Sequence, residues 1–62
     1  MLNLQIKTDE HNLKYNNIST ETALAICSSV LPDNIFIRVK ENIHNDNWFF
    51  SDGETLVSVN KV

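Results

Sequence analysis

The sequence predicts an α+β domain with one amphipathic helix packed on one face of a four- to five-stranded antiparallel sheet, in the order β-(β)-α-β-β-β. Three observations carry this expectation. One segment, Ser19 to Leu31, has apolar residues at helical spacing; several short segments alternate apolar and polar residues; and Asp52-Gly53 sits between two apolar runs as a hairpin signal.

Leu2, Leu4 and Ile6 alternate with Asn3, Gln5 and Lys7, which reads as a half-buried strand. The polar run Thr8 to Asn12 reads as a turn. Leu13 and Tyr15 alternate with Lys14 and Asn16 and suggest a short returning strand.

The helix follows. Ser19 or Thr20 supplies a side-chain oxygen for a free amide of the first turn, and Glu21 lies near the positive end of the helix dipole. At 100° per residue, Ala23, Leu24, Ile26, Cys27, Val30 and Leu31 fall within an arc of about 160°. Glu21, Thr22, Ala25, Ser28 and Ser29 fall opposite. Pro32 disfavours helical geometry in the residue before it and ends the element.

Beyond it, Ile35, Ile37 and Val39 alternate with Phe36, Arg38 and Lys40, a β-branched pattern that reads as a central strand. Glu41 to Asn47 reads as a polar loop with one stray apolar residue, Ile43. Trp48-Phe49-Phe50 opens the next strand and Thr55 to Lys61 forms the last. A two-residue turn at Asp52-Gly53 pairs Phe50 with Thr55, Phe49 with Leu56 and Trp48 with Val57. Directly opposed residues share a face. Trp48, Phe50, Val57 and Val59 then lie on the core side with Ile35, Ile37 and Val39. The open side holds Asn47, Phe49, Ser51, Leu56, Ser58 and Asn60, joined by Phe36, Arg38 and Lys40.

Length bounds the rest. Sixty-two residues make one domain, and a chain this short buries only about 60% of its unfolded surface. Small domains lean on disulfides, metals or partners. A single cysteine excludes an intrachain disulfide, and two histidines are a poor basis for a four-ligand metal site, so self-association as a dimer is the expected support. There is no export-signal pattern, and the longest apolar stretch, Ala23 to Cys27, falls far short of the roughly 20 residues of a membrane span. Together with the lone cysteine, this points to the cytoplasm. Eight carboxylates against five Lys/Arg give a charge of −3, which disfavours duplex nucleic acid.

Candidate chemistry is sparse. Cys27 lies mid-helix on the apolar arc and reads as a buried structural thiol rather than a nucleophile. His11 and His44 sit in turns and read as solvated. The carboxylates read as turn formers and solubilising charge, and an acidic surface mimicking DNA would need more of them. Asn17-Ile18-Ser19 matches a glycosylation acceptor, but Ser19 is explained by the helix cap. No cofactor and no catalysis are expected.

The open face is the one candidate surface: Phe36, Arg38, Lys40, Phe49 and Leu56 combine exposed apolar area with the residue types enriched at interfaces. The expected function is non-catalytic protein binding, through this face or an edge strand. Size, acidity and the asparagine-rich composition suit a small phage or mobile-element inhibitor or adaptor of a larger protein. The alternative is single-stranded nucleic acid stacked on Phe36 and Phe49 beside Arg38 and Lys40.

Overall fold

The computed structural model describes all 62 residues. Strands β1 (Leu2–Lys7) and β2 (Asn12–Ile18) are followed by helices α1 (Thr20–Val30) and α2 (Asp33–Asn42), then by strands β3 (Asn47–Ser51) and β4 (Leu56–Lys61). The four strands form one antiparallel sheet in the order β2-β1-β4-β3. Its centre is therefore the pairing of the first strand with the last, from Leu2 opposite Lys61 to Lys7 opposite Leu56.

Helix α1 follows from its sequence. The Ser19 hydroxyl accepts a hydrogen bond from the Thr22 amide at 3.1 Å, satisfying one donor that the first turn cannot pair internally. Ala23, Cys27 and Leu31 are buried, Leu24, Ile26 and Val30 are half-buried, and all five residues of the opposite arc are exposed. The helix closes at Leu31, whose amide donates to the Cys27 carbonyl, and Pro32 follows.

The segment read as a central strand is helix α2, and this is the main correction. Ile35, Ile37 and Val39 satisfy period two, but Ile35, Val39 and Ile43 also satisfy the i, i+4, i+8 spacing of a helix face. The helical spacing wins because it buries three residues, at 4%, 0% and 1% exposure, and leaves Ile37 at 52%. Ile43 is thus the last anchor of the helix and no stray loop residue. Asp33 in the first turn and Lys40 in the last suit the dipole, and the Asn42 side-chain amide donates to the Arg38 carbonyl at 2.8 Å.

Two smaller differences concern turns. The segment 13–16 belongs to a full strand, β2, which carries an extra residue against β1: Leu4 faces Tyr15 but Leu2 faces Ile18. The bulge holds Asn17 at φ 56°, a left-handed position asparagine tolerates, and the Asn17 amide donates to Asn3 Oδ1 at 2.9 Å. In the β3–β4 hairpin, Phe50 pairs with Val57 and Trp48 with Val59, two residues further along β4 than a two-residue turn allows. Asp52 is the cause: its Oδ1 accepts from the amides of Glu54 at 2.9 Å and Thr55 at 2.8 Å, drawing both into the loop. Gly53 supplies the positive φ of 93° that the loop requires. A shift of two leaves side-chain parity intact, so the expected faces survive.

All 11 buried residues are apolar: Leu2, Leu4 and Ile6 of β1, Val57 and Val59 of β4, and Ala23, Cys27, Leu31, Ile35, Val39 and Ile43 from the helical side. Both helices cover one sheet face, and Trp48 and Phe50 lie at its margin, half-buried.

The competing strand and helix readings of residues 33–43 predict different mutational costs. Ile43→Val is expected to cost about 1 kcal/mol and Ile43→Ala about 2–5 kcal/mol, whereas Ile37→Val stays within about 0.5 kcal/mol. Urea unfolding measures each; equal costs at 37 and 43 would contradict the buried i+4 face. The Asp52 loop has an acid signature. Hydrogen bonds from the Thr55 and Glu54 amides hold the Asp52 carboxyl below its ordinary pKa. A carboxyl with a depressed folded pKa contributes stability above its unfolded pKa, and this contribution is lost as pH falls through the folded value. Asp52→Asn keeps the acceptor oxygen and is expected to remove that acid-dependent increment; Asp52→Ala removes the turn contacts at every pH. Thermal melts across the carboxylate titration range distinguish the three proteins.

Candidate functional site

With α2 helical, Phe36, Arg38 and Lys40 leave the open sheet face. The Lys40 ammonium lies 5.4 Å from the centroid of the Phe36 ring, one helical turn away. The Arg38 guanidinium lies 5.8 Å from the Phe50 ring and covers part of β3 on the helix side. Each contact is of cation–π type, worth about 0.5–1 kcal/mol where exposed. Phe36 is half-buried and packs against the core. The five expected contact residues therefore divide: Phe49 and Leu56 share the open face, whereas the other three belong to the helical layer.

Strand register composes the open face row by row. Lys14, Gln5, Ser58 and Phe49 form one row across the four strands; Asn12, Lys7, Leu56 and Ser51 form the next; Asn3, Asn60 and Asn47 lie on the other side. The face is a field of amides and hydroxyls, its only charges those of Lys7 and Lys14. Every carboxylate lies in a turn or on a helix: Asp9, Glu10, Asp46, Asp52 and Glu54 between elements, and Glu21, Asp33 and Glu41 on helices. Phe49 stands out of this field at 62% exposure, with half-buried Leu56 diagonal to it across β4. A depression of about 300 Å³ on the same face is lined by Asn3, Leu4, Gln5, Lys14, Asn16 and Asn60, with no titratable pair converging on it.

The sequence expectation of binding through an edge strand left open which strand forms that edge. β3 pairs with β4 on one side and with nothing on the other. Lys61 donates its amide to the Asp46 carbonyl and Asp52 donates to the Thr55 carbonyl, which makes 46/61 and 52/55 hydrogen-bonded pairs. Pairs alternate along an antiparallel ladder, so Asn47, Phe49 and Ser51 turn their amides and carbonyls outward. The edge sequence Asn47-Trp48-Phe49-Phe50-Ser51 has no charge, no proline and no bulge. The opposite edge differs: β2 carries Lys14 in its outward-turned register and is bent by the Asn17 bulge, two devices that discourage further strand addition. On the helix side of β3, Trp48 and Phe50 stack with centroids 6.2 Å apart and planes 17° apart. The other exposed large apolar residue within an element, Ile37, is surrounded on its helix by Asp33, Asn34, Lys40 and Glu41 and forms no patch.

No group of three or more His, Cys, Asp or Glu side chains is placed to share a metal ion. No helix is long and apolar enough to cross a membrane. His11 sits in the β1–β2 turn, where its amide donates to the Thr8 hydroxyl, and His44 is exposed after α2. Cys27 is fully buried, and that burial pushes its thiol up to about 11, far from the depressed value that nucleophilic cysteines need. Alkylation by iodoacetamide at neutral pH is accordingly expected only after denaturation; mass spectrometry of native and urea-treated protein measures this, and rapid native labelling would contradict the burial. Comparison with family models, curated proteins and solved structures finds no match to this chain.

Proposed function

We propose that this chain is a non-catalytic protein-interaction module whose contact surface is the free edge of β3 together with Phe49. The observation that supports the reading is the contrast between the two sheet edges. β2 is bent and bears a lysine, whereas β3 offers three outward backbone positions, an uncharged sequence and an aromatic residue at 62% exposure. Adding a strand to such an edge gains main-chain hydrogen bonds, and pockets for alternate side chains supply selectivity. Burying Phe49 adds about 1.5–3 kcal/mol. An uncharged aromatic centre with a polar surround is also the composition of interface cores.

The single-stranded nucleic-acid alternative fares less well on this geometry. Arg38 and Lys40 face Phe50 and Phe36 on the helical side, so the open face keeps one stacking residue and two lysines. A role as an inhibitor or adaptor of a larger protein fits an edge-binding module; its biological setting follows only from size and composition.

Phe49→Ser tests the reading. The substitution is expected to leave stability within about 0.5 kcal/mol, because the side chain is exposed, and to weaken capture of a partner at least tenfold. Affinity capture with wild-type and Phe49→Ser baits measures it alongside urea unfolding. A partner held equally by both would place the contact surface elsewhere, and an unfolded variant would make Phe49 a core residue.

A further inference from the structure

The β3 edge also carries information about what it accepts. Asp46 precedes the strand and Asp52 follows it, each three residues from Phe49. Glu54 adds a third carboxylate at the Asp52 end. Three cations lie nearby: Arg38 is occupied with the Phe50 ring, Lys61 lies opposite Asp46, one strand in from the edge, and Lys7 shares a groove on the far side of Leu56 with Asp9 and Glu54. The aromatic centre of the edge is therefore bracketed by negative charge.

This bracket discriminates between occupants. A second copy pairing antiparallel about Phe49 would set Trp48 against Phe50, but also Asp46 against Asp52 at both ends of the ladder. Like charges directly opposed in a sheet are destabilising. A different chain with basic residues at the same two places makes favourable pairs there instead. Resting on the edge-binding reading above, we infer that β3 accepts an extended segment of a partner protein with an apolar residue on each side of its central position and a Lys or Arg three residues out on each side. In that seven-residue frame, the first, third, fifth and seventh side chains fall on the helix side. The third and fifth meet Phe50 and Trp48, and the outer two meet Asp52 and Asp46. The fourth lies beside Phe49 on the open face, where the surround of Asn, Gln and Ser tolerates polar residues.

Selection of a random heptapeptide pool against the folded chain tests this, with amide NMR to locate binding and the Asp46→Asn/Asp52→Asn double variant as control. Asn at 52 retains the acceptor oxygen of the turn, so the variant is expected to fold. The expected result is enrichment of basic residues six positions apart around two apolar ones, with shifts of the Asn47, Phe49 and Ser51 amides. Affinity is expected to fall about two- to thirtyfold in the double variant, the range for two exposed ion pairs. Added salt should weaken wild-type binding in the same direction, which covers the case of a variant that does not fold. Peptides that shift the β3 amides without basic enrichment or salt dependence would overturn the charge inference and leave edge binding standing. Selected peptides that leave those amides unmoved would overturn both. Concentration-dependent shifts of the same amides without any peptide would instead make a second copy the occupant and overturn the inference.

Discussion

Everything in this fold depends on the pairing of β1 with β4. The β1–β2 hairpin, the helical pair and the β3–β4 hairpin are each local, formed by residues close in sequence. Only the six registered pairs from Leu2–Lys61 to Lys7–Leu56 bring the two ends of the chain together. That ladder carries five of the buried core residues, Leu2, Leu4, Ile6, Val57 and Val59, each at 1% exposure or less. It provides the floor on which Ala23, Cys27, Ile35, Val39 and Ile43 pack. Its entropic cost is that of closing nearly the whole chain, but this cost grows only logarithmically with loop length. Once it forms, both hairpins share one sheet and both helices have a face to cover. The same arrangement leaves β2 and β3 at the edges, because the central positions are taken by the terminal strands.

How much of this was legible depends on whether a pattern admitted one period or two. Residues 19–31 admit one, and the helix, its Ser19 cap and the division of its faces are all present in the structure. Residues 33–43 admit two. Ile35-Ile37-Val39 is as good a strand as Ile35-Val39-Ile43 is a helix face, and the deciding residue, Ile43, lay outside the window of the alternation. The discarded strand would have been a fifth member of the sheet. Recognising α2 therefore moves Phe36, Arg38 and Lys40 off the open face and leaves four strands, with β3 at one edge. The hairpin faces were legible despite a wrong register, since Asp52 displaces the pairing by two residues and parity is unchanged. Strand order was not legible, because no local pattern states that Leu4 will lie beside Val59.

Charge placement follows from the same topology. The open face is built from alternate residues of four strands, and in this chain those positions are almost all Asn, Gln, Ser or Lys. The carboxylates are displaced to the turns and helices, so a net charge of −3 coexists with a sheet face bearing only two lysines. Net charge alone is thus a poor guide to this surface. The negative potential concentrates where strands end, and around β3 it flanks an uncharged centre. Acidic residues at strand ends also oppose open-ended stacking of identical edges, the hazard that a short apolar edge otherwise presents.

The run Trp48-Phe49-Phe50 makes the last point. Successive strand residues alternate faces, so a single sheet covered on one side cannot bury all three. Facing Phe49 inward would require a one-residue slip of β3 on β4 that turns Trp48 and Phe50 outward, exchanging two aromatic side chains over the helix side for one. The exposed position of Phe49 is therefore dictated by its neighbours and is not a packing defect. With 11 buried residues the chain has little core to spare, and Trp48 and Phe50 are themselves only half-covered by the helical layer. A strand added beside β3 extends both faces at once: it lengthens the ladder through Asn47, Phe49 and Ser51, widens the cover over Trp48 and Phe50, and places a side chain next to Phe49. No rearrangement within the chain achieves all three, and this is the physical reason for proposing the edge, rather than the open face, as the contact surface.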